Sequence, residues 1–223
     1  RQLTGERLAA QCRGTPQLRR AHLFSARCAE KIFEPCRKRT EETAMNAFEI
    51  RNLDWIQTLR TGAGDTFFSL VTHLGDAGIF WILLCVALLC VKKTRRAGVA
   101  MAVALVCDLL LCNVLLKPLV HRIRPYDVNP AIVPIVRKPT DFSFPSGHSA
   151  ASFAGAAAIF FSGRKKAGIA ALVLAAVVAL SRLYLYIHYP TDVLGGAAVG
   201  VLCGWLGSRA CARLARRFPS LAE

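Results

Sequence analysis

Five long apolar runs, each bounded by charged or polar residues, occupy most of the chain beyond residue 74. Runs of this length are typical of helices that cross a bilayer, since a helix pairs its backbone polar groups within the segment. The runs cover Gly75–Val91, Gly98–Leu116, Pro145–Ser162, Ala167–Ile187 and Val193–Ser208. The pattern predicts an all-α, integral-membrane helical bundle of about five transmembrane helices.

The residues before these runs differ from them in character. Asn46–Arg60 alternates apolar and polar residues and predicts a helix at the membrane interface, and the short apolar segment Thr66–Gly75 predicts a second interfacial or half-inserted piece. Residues 1–44 are basic and lack a sustained apolar period. We expect them to be a disordered or non-native upstream extension, with Met45 as the true start of a membrane domain at 45–223. A genuine basic tail is the alternative.

The chain carries 29 Lys and Arg against 14 Asp and Glu, for a formal net charge of +15. In a soluble protein this excess would suggest nucleic acid, but here the basic residues cluster between apolar runs, which is a topology signal. Nucleic acid is therefore not a predicted partner. The clusters at 92–96, 164–166 and 209–217 predict that these ends face the cytoplasm. The opposite ends then face the extracytoplasmic side of the plasma or inner membrane.

Polar residues gather at the ends of the runs that are predicted to face outward. Lys117 and Arg124 are seven residues apart, so one helix would present both cations to a single anion, and Pro125 would end that helix. A pair of long basic side chains reaching for the membrane surface is an equally good interpretation. Asp108, in the middle of the second run, is interpreted as a structural polar contact in preference to a catalytic group.

A second candidate site opens the third run. Ser146 and Gly147 stand at the predicted start of a helix, where free backbone N–H groups and the helix dipole suit a phosphate. Gly147 allows close approach, Ser146 adds a hydroxyl donor, and His148 could protonate a leaving oxygen. An ordinary serine N-cap followed by a surface histidine is the alternative.

The third candidate lies between the fourth and fifth runs. The planar guanidinium of Arg182 matches phosphate oxygens, and a neutral His188 can attack phosphorus if Asp192 holds its other ring nitrogen. Arg182 and His188 are six residues apart, which is not one face of a helix. We therefore expect the helix to end before Pro190, so that both side chains reach the same phosphate.

Together the three motifs, with their spacings and order, resemble the signature of the type-2 phosphatidic acid phosphatase superfamily over roughly residues 64–207. The resemblance implies that His188 is the nucleophile, forming a phosphohistidine, that Asp192 orients it, and that His148 is the general acid. It also implies a phosphate cradle formed by Lys117, Arg124, Ser146, Gly147 and Arg182. No metal or other cofactor is implied.

The resemblance suggests an integral-membrane phosphatase of lipid phosphates or diphosphates. The small five-span layout is most similar to family members that convert undecaprenyl diphosphate to undecaprenyl phosphate. Phosphatidylglycerophosphate or phosphatidate hydrolysis is the alternative within the enzyme class. The apolar runs disfavour the family's soluble vanadate-dependent haloperoxidases. A non-enzymatic lipid-phosphate binding or transport protein is a further alternative, although such a pocket would need cations and not a nucleophile with its partner.

Overall fold

The computed structural model describes residues 46–217, and every regular element in that range is helical. The prediction of an all-α fold is confirmed. The chain divides into two units, Arg1–Arg51 and Asn52–Glu223, and all contacts reported below lie within the second unit. The expectations for residues 1–44 and for Met45 as the start fall outside the described residues.

Nine α-helices follow one another within residues 46–217. They are α1 (46–58), α2 (Gly62–His73), α3 (Ile79–Cys90), α4 (Arg95–Asp108), α5 (Lys117–Val120), α6 (Pro125–Val128), α7 (Gly147–Phe161), α8 (Lys165–Tyr184) and α9 (Pro190–Arg217). A π-helix, Leu109–Leu116, joins α4 to α5.

Three helical stretches are long and apolar enough to cross a membrane: Lys92–Val128, Lys165–Tyr184 and Pro190–Arg217. The remaining two predicted spans form the shorter apolar helices α3 and α7. Large apolar side chains such as Leu83, Val114 and Leu194 point away from the protein and are about two-thirds exposed. A surface this rich in exposed apolar side chains is typical of contact with lipid.

Close packing of α9 against α7 organises the bundle. A Cβ atom at Gly196 would lie 2.5 Å from Ser146 O, and one at Gly204 would lie 2.5 Å from Ala157 Cβ. Gly200, between them, faces the backbone of α7 in the same way. These three glycines form the packing surface, because only small residues let two backbones approach so closely. α7 also packs against α8, and α9 against α4.

The basic connections gather at one end of this bundle. Arg164, just before α8, donates a hydrogen bond to the carbonyl of Lys93, just before α4. Near the end of α9, Cys211 Sγ donates to Arg96 O at 3.3 Å. The three clusters that the sequence analysis placed on one side of the membrane are thus neighbours in space, and the motif residues lie at the other helix ends.

The expected single helix through Lys117 and Arg124 is wrong. α5 ends at Val120, His121 adopts a left-handed conformation (φ 51°), and Arg124 is extended. The extended backbone of Arg124 has a cause in the sequence, since the ring of Pro125 disfavours a helical conformation at the residue before it. The proline-rich connection between α5 and α7 also contains the short helix α6, whose first residue is Pro125.

The packing of α9 on α7 predicts that Gly200→Ala lowers the thermal stability of the detergent-purified protein. The added Cβ would lie 2.9 Å from Ala154 N and would also collide with Ala150 O, and backbone atoms cannot move aside. We expect a loss of about 1–3 kcal/mol, the usual penalty of overpacking. A melting curve followed by circular dichroism measures it.

The matched control is Gly62→Ala, at the exposed start of α2, where an added Cβ has no atom within 4 Å. Because alanine favours helix over glycine, this variant should melt at or slightly above the wild-type temperature. Equal melting temperatures for the two variants would contradict the packing argument.

Candidate active site

Three stretches of chain bring the predicted residues to the end of the bundle opposite the basic connections. They are α5 with the connection that follows it, the start of α7, and the segment 185–189 between α8 and α9. The connection between α8 and α9 is short because α8 ends at Tyr184 and α9 begins at Pro190. The expected break of the helix before Pro190 is confirmed.

The chain reverses within this break. Tyr186 has a positive φ of 60°, and Ile187 N donates back to Arg182 O at 3.1 Å. The turn directs His188 into the interior, where the residue is 1% exposed. A histidine so deeply buried is positioned by its surroundings and not by solvent.

Lys117 and Arg124 converge on one carboxylate, although no single helix carries them. Arg124 Nη2 donates to Asp141 Oδ1 at 2.6 Å, and Lys117 Nζ pairs with the other oxygen, Oδ2. Partial burial would raise the pKa of Asp141, but the hydrogen bonds and charges of the two cations outweigh it and lower the pKa to about 2. The two cations therefore already hold an anionic group.

His188 lies between a cation and a carboxylate. Arg124 Nη1 is 3.1 Å from His188 Nε2, and His188 Nδ1 is 3.5 Å from Asp192 Oδ2, longer than an ordinary hydrogen bond. Burial lowers the pKa of His188 to about 3; Asp192 opposes this shift, and the charges of Arg124 and Arg182 add to it. The imidazole is therefore neutral at physiological pH.

The contacts of His188 assign its tautomer. Because a guanidinium can only donate, Nε2 must be the acceptor, and the ring proton then belongs to Nδ1, on the side of Asp192. The lone pair on Nε2 is the nucleophilic electron pair of a neutral imidazole. That single lone pair accepts from Arg124 here, so the imidazole can act as a nucleophile once the guanidinium of Arg124 turns to an anionic substrate.

The carboxylate of Asp192 is fully buried and fully engaged. Oδ1 accepts from Arg122 Nη1 at 2.6 Å, and Oδ2 accepts from Ser143 Oγ at 2.5 Å and from Tyr189 N at 3.0 Å. Sequence reasoning missed Arg122 and Ser143. Nothing in their spacing marks them, since they come from the proline-rich connection and meet Asp192 only in the folded chain.

At the start of α7, the side chain of Ser146 is an N-cap. Its Oγ accepts from Ser149 N at 3.4 Å and from Ser149 Oγ at 3.0 Å. The alternative of an ordinary serine N-cap therefore describes this side chain. A Cβ atom at Gly147 would lie 3.6 Å from Lys117 Nζ and 3.5 Å from Asn113 Oδ1. The helix N-terminus thus lies beside the first cation of the site.

His148 contacts a carboxylate that sequence reasoning did not assign to the site. His148 Nε2 lies 2.9 Å from Asp76 Oδ1, and His73 Nδ1 lies 2.7 Å from Asp76 Oδ2. The hydrogen bond from His148 is the main reason that the pKa of Asp76 falls far below its ordinary value. The sequence shows Asp76 and His73 only as the polar end of a short apolar segment.

Arg182 and Asp108 each have a buried side-chain atom with no hydrogen-bond partner among residues 46–217. Arg182 Nη1 donates to Thr72 Oγ1 at 2.5 Å, whereas Arg182 Nε has no hydrogen-bond partner in residues 46–217. Asp108 Oδ1 likewise has none, so the expected structural polar contact is not made by that oxygen. Within the same residues no three His, Cys, Asp or Glu side chains are grouped as metal ligands.

Comparison with known proteins gives a consistent result. The family model described as the PAP2 superfamily matches residues 93–216. The undecaprenyl-diphosphatase of Sulfolobus acidocaldarius is 34% identical over 54% of this chain, and the match spans 58% of that relative's length. Phosphatidylglycerophosphatase B of Bacillus subtilis is 32% identical over 82% of this chain and 89% of its own length.

The fold comparison agrees with the sequence comparison. The crystal structure of a transmembrane PAP2-type phosphatidylglycerolphosphate phosphatase from Bacillus subtilis superposes with a TM-score of 0.63 and 29% identity. The match covers 78% of this chain and 89% of that one. The family match includes all eight residues that the three motifs predicted. The chain therefore belongs to the PAP2 superfamily and is a phosphatase embedded in the membrane.

Proposed function

We propose that the protein hydrolyses undecaprenyl diphosphate to undecaprenyl phosphate through a phosphohistidine on His188. One observation carries the mechanism: a neutral, buried imidazole whose Nε2 faces Arg124 and whose Nδ1 faces Asp192. The similarity to an undecaprenyl-diphosphatase supports the substrate. Phosphatidylglycerophosphate or phosphatidate is the alternative, favoured by the broader match to phosphatidylglycerophosphatase B.

In the first half-reaction His188 Nε2 attacks the terminal phosphorus. The bond from phosphorus to the bridging oxygen breaks, and His148 donates its proton to that oxygen. Asp192 stabilises the positive charge that develops on the ring of His188. In the second half-reaction water attacks the phosphohistidine, His148 takes a proton from the water, and free phosphate leaves. Both histidines end in their initial states.

The phosphate oxygens are held by Lys117, Arg124 and Arg182, together with the start of α7 at Ser146 and Gly147. Charge that develops on these oxygens in the transition state is stabilised by cations that are already positioned, which is the most effective form of electrostatic catalysis. The carboxylate of Asp141 occupies two of these cations, and its side chain is 47% exposed. Substrate phosphate therefore competes with Asp141, which can move towards solvent.

The site faces the extracytoplasmic side in this proposal. The basic connections at the opposite end of the bundle support that orientation, because Lys and Arg in short loops are retained in the cytoplasm. An outward site has access to a carrier lipid whose diphosphate is exposed on the outer leaflet. The lipid tail would lie along the apolar outer surface of the bundle.

The substrate assignment predicts fastest phosphate release from undecaprenyl diphosphate when it is compared with phosphatidylglycerophosphate and phosphatidate. The purified protein is assayed on the three lipids side by side at equal surface concentration in mixed micelles. Release should be unchanged by EDTA, because the positive charge of the proposed site comes from Lys117, Arg124 and Arg182. Higher kcat/KM for phosphatidylglycerophosphate would favour the alternative, and loss of activity in EDTA would reject the metal-independent mechanism.

The nucleophile assignment predicts that His188→Ala loses at least about a thousandfold in kcat, because no other group can form the covalent intermediate. Rapid acid-free quench with radiolabelled substrate should trap an alkali-stable phosphohistidine in the wild-type protein and none in the variant. His121→Asn is the matched control, since His121 is exposed and asparagine tolerates its left-handed backbone. Normal turnover by His188→Ala would exclude the mechanism.

The orientation predicts the labelling of single cysteines in whole cells. In a background without native cysteines, Val128→Cys should react with a membrane-impermeant maleimide, because Val128 is 48% exposed at the end of the bundle that carries the site. Lys166→Cys, exposed in the first turn of α8, should react only after the membrane is made permeable. The reverse pattern would place the site in the cytoplasm.

A further inference from the structure

Asp76 links two histidines between α2 and α3, outside all three motifs. Its Oδ1 lies 2.9 Å from His148 Nε2 and its Oδ2 lies 2.7 Å from His73 Nδ1. The contact with His148 joins residues 72 positions apart in the chain, so it is made by the tertiary fold. Both distances are those of charge-assisted hydrogen bonds.

The backbone next to Asp76 is shaped to the same imidazole. A Cβ atom on Gly75 would collide with His148 Cδ2, so glycine is needed for the ring to lie where it does. One face of the ring therefore packs against the chain at Gly75, and one ring nitrogen is held by the carboxylate of Asp76. The imidazole has little freedom to rotate, although Asp76 itself is about half exposed.

We infer that Asp76 is the positioning residue of the general acid His148, with His73 fixing its second carboxylate oxygen. This inference rests on the proposed function, in which His148 protonates the leaving group. Because Nε2 is held by Asp76, Nδ1 is the nitrogen that transfers the proton. The proton passes from Nδ1 to the leaving oxygen as the P–O bond breaks, and Nδ1 takes a proton from water in the second half-reaction.

The charges around His148 explain why such a carboxylate is needed. Burial disfavours a positive charge on the imidazole of His148, and the positive charges of Arg182 from α8 and Lys117 from α5 act in the same direction. A general acid must carry its proton before the leaving group departs. Asp76, whose other oxygen contacts His73, supplies the compensating negative charge at Nε2 of His148. In this position the carboxylate does not repel the phosphate.

The arrangement predicts a specific kinetic effect of Asp76→Asn. The asparagine keeps the shape of the side chain but loses the negative charge that holds the proton on His148. Phenyl phosphate has a poor leaving group that needs protonation, whereas 4-nitrophenyl phosphate has a good one that does not. The measured quantity is the first-turnover rate on 4-nitrophenyl phosphate divided by the first-turnover rate on phenyl phosphate. We expect this ratio to be about tenfold higher in Asp76→Asn than in the wild type, with KM for both substrates unchanged.

Asp127→Asn is the matched control, since it makes the same change at an exposed position of α6 and should keep the wild-type ratio. An equal loss on both substrates in Asp76→Asn would overturn the inference and leave the proposed function intact. If the wild-type protein forms no phosphohistidine, the proposed function fails, and the inference fails with it.

A second variant decides the question if Asp76→Asn does not fold. His73→Gln changes a side chain that is 64% exposed, so folding is not at risk, and it removes one of the two contacts that fix Asp76. A two- to threefold rise in the same ratio supports the inference. A wild-type ratio in a folded His73→Gln overturns it.

Discussion

The buried carboxylate of Asp192 is the constraint on which the site depends. A charge with no exposure to water must be fully paired, because an uncompensated one would cost several kcal/mol. Three residues supply its hydrogen bonds: Arg122 and Ser143 from the proline-rich connection, and the backbone of Tyr189 from the turn before α9. Satisfying this one carboxylate therefore fixes the connection relative to the turn, and the turn carries His188.

Carboxylates from outside the three motifs also compensate positive charge elsewhere in the site. Asp141 neutralises Lys117 and Arg124, and Asp76 neutralises the environment of His148. Both acids are about half exposed, whereas Asp192 is fully buried. The difference between Asp141 and Asp192 fits their proposed roles, since a carboxylate that competes with phosphate must be able to leave, and one that steadies the nucleophile must stay.

Helix packing sets the distances that this chemistry needs. The glycine face of α9 lets the helix lie directly on α7, and Ser146 N donates to Asp192 O at 3.0 Å across the same contact. The start of α7, which is proposed to hold phosphate, is thus tied to the residue that steadies the proposed nucleophile. Small residues in the apolar runs consequently help to position the site, although they take no part in the reaction themselves.

The amino-acid sequence by itself determined the helical class, the order of the apolar helices, the break before Pro190 and the convergence of the motif residues. These follow from local signals: long apolar runs, proline, and polar residues that recur at the same helix ends. Only the tertiary structure decided that Lys117 and Arg124 meet at Asp141 from a broken helix, and that Arg122, Ser143 and Asp76 complete the site. Pairing of buried charges depends on which side chains the fold brings within hydrogen-bond distance, and spacing along the chain carries no signal for partners 49 to 72 residues away.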